Sequence, residues 1–260
     1  MSPLPAIVAC CAAFALLWWR QTHTRNATSV DAAWAFAIGA LGLASAALGT
    51  GSATQRILAG AIVGIWSARL TWHLLAHRVF GHPHEDGRYR AMRDHWGARA
   101  QGFLFAFYQA QAVAALAFAL PFWFLADHAA PTIGGVQWAG LAVAALGVGG
   151  EALADRQLER HRRDPQQRGR TCRSGLWRCS RHPNYFCEWL TWCGIALVAT
   201  PAAGCWAILQ PVAMYLLVRH VSGVPWTELQ AQKSRGDDYR RYQATTSAFF
   251  PWWPRRDETP

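Results

Sequence analysis

Seven stretches of this chain are too long and too apolar to be the surface helices of a soluble domain: residues 3–19, 30–50, 57–78, 102–126, 135–156, 184–200 and 203–221. Each is close to the ~20 residues that cross a bilayer core, and each is apolar all round rather than along one stripe. Lipid satisfies no backbone polar group, so stretches like these fold as helices. The expected fold is therefore all-α: a polytopic bundle of about seven transmembrane helices, forming one domain over residues 1–260. Charged residues make up 15% of the chain, against ~25% in a typical soluble domain. Trp18, Trp19, Trp123, Trp138, Trp206 and Trp226 fall near span ends, where interfacial aromatic residues collect. No Lys or Arg precedes the first stretch and WWRQ follows it, so it is expected to stay as an anchor rather than be cleaved.

The connecting segments alternate between arginine-poor and arginine-rich. Only Arg56 lies between spans 2 and 3, and DHAAPTIGG and the PAAG region carry none. Arg78, Arg88, Arg90, Arg93 and Arg99 follow span 3, nine arginines lie between Arg156 and Arg181, and the tail over 222–260 is again basic. The positive-inside rule then puts the N-terminus outside and the C-terminus in the cytoplasm. The net charge of +10 follows from this topology and from contact with anionic membrane lipids, and no nucleic-acid-reading motif accompanies it. The seven cysteines form no CxxC pair, so they read as small apolar fillers rather than zinc or redox centres.

Ionisable groups inside the spans are few: Asp31 in span 2; Arg69, His73 and His77 in span 3; Glu151 and Asp155 in span 5; Asn184 and Glu188 at the start of span 6; Arg219 and His220 at the end of span 7. In the expected orientation all lie in the cytoplasmic part of the membrane. Such residues usually face a bundle interior or a watery cavity, so a polar cavity open to the cytoplasm is expected. Snorkelling accounts for Asp31, His77 or Arg219 taken singly, and a structural salt bridge such as Arg69–Asp31 for one pair. Glycine-rich phosphate loops, HExxH and GxSxG are absent, which excludes the Rossmann, P-loop and common hydrolase routes. The arginines of the 156–183 loop match a phosphorylated soluble cofactor.

Several segments carry a resemblance: RSGLWRCSRHPNYFCEWLTWCGIAL, NATSVDAAW, ARLTWHLLAHR, EALADRQLERHRRDP and VSGVPWTELQ…YRRYQATTSAFFPWWP. Together the chain resembles the steroid 5-alpha-reductase-like membrane family, in a superfamily shared with sterol C14-reductases and isoprenylcysteine carboxyl methyltransferases. The resemblance implies a seven-helix bundle with a cofactor site facing the cytoplasm. It also implies NADPH-dependent reduction of a carbon–carbon double bond conjugated to a carbonyl, in a lipophilic substrate entering from the bilayer. The setting would be a bacterial inner membrane.

The most specific motif spans 151–188. Asn184 and Glu188 would fix the nicotinamide amide, Asp155 and, more loosely, Arg162 match cofactor-lining positions, and Glu151 lies on the same face. Arg162, Arg170, Arg178 and Arg181 would hold phosphates, with His182 and Tyr185 lining the cofactor. For the acid that hydrogen-bonds the carbonyl as enolate charge develops, the choices are His73, then Tyr89, then Asp31 if desolvation keeps it protonated. The sequence departs twice from the family pattern: Cys187 stands where the family has Gly, and span 2 offers Asp31 in place of a Gln-Glu pair. Two other readings are an S-adenosylmethionine-dependent methyltransferase of a lipid-linked substrate and a non-enzymatic transporter or scaffold.

Overall fold

The computed structural model describes residues 4–81 and 84–255; Pro3 of the first expected span and Arg256 of the basic tail lie outside them. Helices are the only regular secondary structure among the described residues, which include no strand. Six helical segments are long and apolar enough to cross a membrane: Leu4–Thr24, Val30–Leu48, Ala53–Val79, Gly87–Ala126, Gly135–Arg163 and Pro183–Arg235. Large apolar side chains such as Leu16, Phe36, Ile57, Ile65 and Leu146 point outward from them, as lipid-facing surfaces do. The chain divides into two compact units, Met1–Ile133 and Gly134–Pro260.

The first unit holds α1 (Leu4–Thr24), α2 (Val30–Leu48), α3 (Ala53–Leu74), the short α4 (Gly87–Trp96) and α5 (Ala100–Ala126). Its core forms where α2 meets α3 and α5. Trp34 meets Trp66 and Phe118 edge-on, at 6.1 and 5.4 Å between ring centres. The helices α2 and α3 approach closely at Gly39, where a Cβ would collide with Ser67, and at Gly42, which faces Val63. Small residues serve this purpose in membrane helix pairs, where backbone contact replaces the hydrophobic drive. Ser67 Oγ donates to Ala35 O at 2.9 Å. At the far end of these helices, Gly51 N and Ser52 N donate to Ala126 O and His128 O, both at 3.0 Å, joining the α2–α3 turn to the end of α5.

The second unit holds α6 (Gly135–Arg163), α7 (Pro183–Ala203), α8 (Leu209–Leu216), α9 (Val224–Arg235) and α10 (Asp237–Thr245). The expected fifth span ends at 156, but α6 runs on to Arg163, about 43 Å in all at 1.5 Å per residue. ADRQLERHRR contains only tolerable helix formers, and the stop comes at Asp164-Pro165, where the residue before proline is pushed out of the helical region. The expected sixth and seventh spans form a hairpin. α7 ends at Gly204, which takes φ +60°, and a 3-10 segment (Gly204–Ile208) leads into α8. Trp189 Nε1 donates to Pro211 O at 3.0 Å, which fixes α8 antiparallel to α7. The seventh span is therefore not a single regular helix: it is 3-10, then α, then a π segment over Leu217–Val221.

Candidate functional site

The helices α6 and α7 pack more closely than side chains of ordinary size allow. A Cβ on Gly140 would lie 2.7 Å from Gly194 O, and one on Gly147 2.8 Å from Cys187 O. A Cβ on Gly150 would lie 2.7 Å from Cys187 Sγ. The Cys187 thiol thus lies in the space that Gly150 leaves open on α6. These contacts set the register of the antiparallel pair. One turn beyond Gly150, Asn184 Nδ2 donates to Asp155 Oδ1 at 3.1 Å, and Asn184 Oδ1 accepts from Tyr185 N at 3.0 Å. The same register brings Glu151 and Glu188 to one level, and both are buried, at 6% and 8% exposure. Glu188 Oε1 accepts from Trp192 Nε1 at 3.0 Å, a bond one helical turn long that locks the carboxylate against α7. The motif residues Glu151, Asp155, Asn184 and Glu188 are therefore one cluster between two helices.

The segment before α7 is held by the tail. Arg181 was expected to hold phosphate, but its guanidinium is committed elsewhere. Nε donates to Glu228 Oε1 at 2.6 Å and Nη1 donates to Gln243 O and Thr246 O. His182 is buried at 2% exposure, lies 3.4 Å from Glu228 Oε1 and stacks on Tyr185 with ring centres 5.5 Å apart. Burial pushes the His182 pKa down, against the pull of Glu228. Burial pushes the Glu228 pKa up, but bonds from His182 and Arg181 and the Arg181 charge outweigh it and hold the carboxyl down at about 2. Tyr242 donates to Trp177 O and to Ser180 O, and Ser180 Oγ donates to Phe249 O at 2.8 Å. Glu228, Gln243 and Tyr242 were not legible as site residues, because nothing near the motif in sequence points to them.

Beyond the end of α6 an open cavity of about 770 Å³ is lined by Arg160, Arg170, Thr171, Arg173, Gln157 and Asp238, among others. Arg173 Nη2 is paired with Asp238 Oδ1 at 2.9 Å. Asp238 Oδ2 accepts from Thr171 N at 2.7 Å, and its pKa is lowered: these bonds and Arg173 outweigh burial. The Thr171 hydroxyl is buried near the Asp238 carboxylate without a hydrogen bond of good geometry. Gly175 takes φ +59° against the Gln157 amide, and Gln157 Oε1 accepts from Leu176 N at 2.9 Å, so α6 itself shapes the loop. Of the four expected phosphate-binding arginines, Arg170 lines this cavity, Arg181 is bound into the tail, and Arg162 and Arg178 are exposed on α6 and on a 3-10 turn. Arg160 was not singled out from sequence, although it lies only two positions before Arg162.

The residues proposed as acids lie in the first unit. Asp31 was expected to be a protonated acid if it took part. Instead both its oxygens accept. Oδ2 lies 2.6 Å from Arg88 Nη2 and 3.4 Å from Arg78 Nη1, and Oδ1 accepts from the Tyr89 hydroxyl at 2.5 Å. Two arginines and a phenol donate to it, so both carboxyl oxygens are engaged. Asp86 caps α4 by accepting from Arg88 N at 2.9 Å; burial raises its pKa, but Arg88 and Arg78 bring the net shift down. Beside it Glu85 is bonded to Arg93 at 2.8 Å and to Ala27 N at 2.9 Å. Tyr89 is buried with its hydroxyl engaged. His73 is half-buried and stacks on His77, with ring centres 4.5 Å apart. Tyr89 and Asp31 are therefore one hydrogen-bonded unit, and His73 belongs to a histidine pair.

A family model described as "Protein of unknown function (DUF1295)" matches residues 17–246. No curated protein and no solved structure matches the chain. The match takes in every helix from the end of α1 through α10, including both polar clusters, and on it the chain belongs to the DUF1295 family.

Proposed function

We propose that this chain is an integral membrane reductase of the steroid 5-alpha-reductase-like group. It would use NADPH to reduce a conjugated carbon–carbon double bond in a lipophilic substrate, with the Asn184 end of α7 facing the cytoplasm. The observation that carries the reading is the cavity beyond α6. Arg160 and Arg170 line it with no ion pair of their own among the described residues, and the buried Thr171 hydroxyl beside them lies near the Asp238 carboxylate without a hydrogen bond of good geometry. A buried hydroxyl without a good hydrogen bond is costly, and phosphate oxygens satisfy a hydroxyl and two guanidinium groups together. The group therefore fits the residues present.

Arg160, Arg170 and Thr171 would hold the cofactor's phosphates, while Asn184, positioned by Asp155, would orient its amide. Asn184 has one Nδ2 hydrogen beyond the bond to Asp155, which is what an amide carbonyl requires. Bound there, the nicotinamide supplies a hydride to the β-carbon of the enone. His182 and Tyr185 form the stacked wall that closes the start of α7 against water, and Glu188 with Trp192 keeps the base of the site rigid. The chain must also supply a hydrogen-bond donor to the carbonyl as enolate charge grows. The donors expected from the sequence, His73 and Tyr89, belong to the first unit.

Calorimetric titration of the detergent-purified protein with NADPH, NADH and S-adenosylmethionine tests the reading. NADPH is expected to bind, and Arg170→Ala and Asn184→Ala each to weaken it. Binding of S-adenosylmethionine alone would replace the reductase reading with the methyltransferase one.

A further inference from the structure

An apolar groove of about 590 Å³ runs along α7 on the side away from α6, between α7 and the returning Gly204–Leu216 segment. On α7 it extends from Trp189 to Gly204, about 22 Å at 1.5 Å per residue. That is some three-quarters of the ~30 Å hydrocarbon core. A space so long and narrow suits an extended chain better than a compact ring system.

The polar atoms that line the groove are nearly all committed. Trp189 Nε1 donates to Pro211 O and Thr200 Oγ1 to Ala196 O at 2.8 Å. The exception is Tyr215. Its ring is packed against Trp189 and Phe250, but among the described residues its hydroxyl has no hydrogen-bond partner, and it faces an apolar groove at membrane depth. An unsatisfied donor there calls for an acceptor. The Leu217–Val221 π segment adds to this polarity. Its wider turn brings His220 against Tyr215, with ring centres 5.9 Å apart, and Arg219 precedes it. The Tyr215 end of the groove thus offers a hydroxyl donor with an imidazole beside it, and the rest is almost wholly apolar.

We infer that this groove binds a single-chain lipid, its chain along α7 and an oxygen-acceptor head, carboxylate or carbonyl, at Tyr215. As a binding site it stands alone. The further step, that the bound chain is the substrate and its carbonyl end the reacting end, rests on the reductase reading.

The test is photolabelling of the purified full chain, without NADPH, by palmitic acid carrying a diazirine, with the labelled peptides mapped by mass spectrometry. Label is expected within residues 189–216, with unlabelled palmitic acid as competitor. Val212 and Leu216 are about half exposed at the groove wall, so Val212→Trp and Leu216→Trp fill the groove without disturbing the core and each abolish the labelling. Tyr215→Phe removes one hydrogen bond and weakens binding of the acid about fivefold, while leaving a diazirine-bearing long-chain alkane unaffected. The inference is overturned if label spreads evenly over all lipid-facing helices, if palmitylamine competes as well as palmitic acid, or if cholestenone displaces the probe better than palmitic acid does. Because no cofactor is present, failure here leaves NADPH binding standing, and failure of NADPH binding leaves the lipid site standing.

Discussion

Asn184 on α7 donates to Asp155 on α6 across 3.1 Å, and that bond ties the start of one helix to the arginine-rich end of the other. It places the amide two residues along α6 from Gln157, where the lining of the polar cavity begins.

Asp155→Ala should therefore act through Asn184. Hydrogen bonds to charged groups contribute about 1.5–3 kcal/mol, so NADPH affinity is expected to fall roughly tenfold or more. Asp155→Asn should lose less, since it still offers an oxygen to Asn184. Calorimetry on the two variants distinguishes positioning from plain loss of charge: an equal fall in both would mean that the charge itself binds the cofactor.

Arg160 and Arg170 should contribute separately from Arg181. Arg170→Ala and Arg160→Ala are each expected to weaken NADPH binding and to flatten its dependence on ionic strength. Arg181→Ala should instead loosen the tail, because its partners are Glu228, Gln243 and Thr246. Protease sensitivity over residues 224–255, read beside the titrations, separates the two outcomes.

The α6–α7 contact predicts a compensating pair. Gly150→Ala places a methyl group 2.7 Å from Cys187 Sγ, and overpacking of this kind costs about 1–3 kcal/mol. Adding Cys187→Gly removes the clash, so thermal unfolding of the double variant in detergent should return most of the way to the parent. Gly147→Ala meets backbone as well as Thr191, and no single partner change should rescue it.

Acid should release the tail in two stages. The His182 pKa is held below its ordinary 6.5 by burial, so as pH falls through the mid-sixes the unfolded form takes up a proton that the folded form resists, and docking weakens. The Glu228 carboxyl is held at about 2 against an ordinary 4.5. Its contribution is complete above the ordinary value and is lost as pH falls from there toward 2. Glu228→Gln should abolish the second stage. Limited proteolysis of the tail across pH 3–8 reads both.

In the first unit, Asp31→Asn should be more damaging than Tyr89→Phe. The first removes one of the two carboxylates that Arg88 and Arg78 share, Asp86 being the other, and hydrogen bonds to charged groups contribute about 1.5–3 kcal/mol. The second removes one hydrogen bond, about 1 kcal/mol. Should Tyr89→Phe lower turnover far more than stability, its hydroxyl acts on substrate as well as on Asp31.

The sequence by itself determined that this chain is helical and crosses membranes, because runs of ~20 apolar residues have no other stable form in lipid. It determined that Asn184 and Glu188 share a face, because four residues make about one turn. It also showed Glu151 and Asp155 as a second polar face. What it left open depended on contacts between residues far apart in the chain. Only the tertiary structure brought the two faces to one level, through a register set by Gly140, Gly147 and Gly150 against α7. Only the structure assigned Arg181 to the tail and left Arg160 and Arg170 at the cavity, since arginines in a basic loop look alike until their partners are known. Asp31 was tied to Arg88 for the same reason: its neighbours come from a helix more than fifty residues away. The last expected span is a further case. Its hydropathy is that of a membrane helix, but the return at Gly204 and the π segment that brings His220 to Tyr215 are backbone geometries, fixed by packing against α7 rather than by composition.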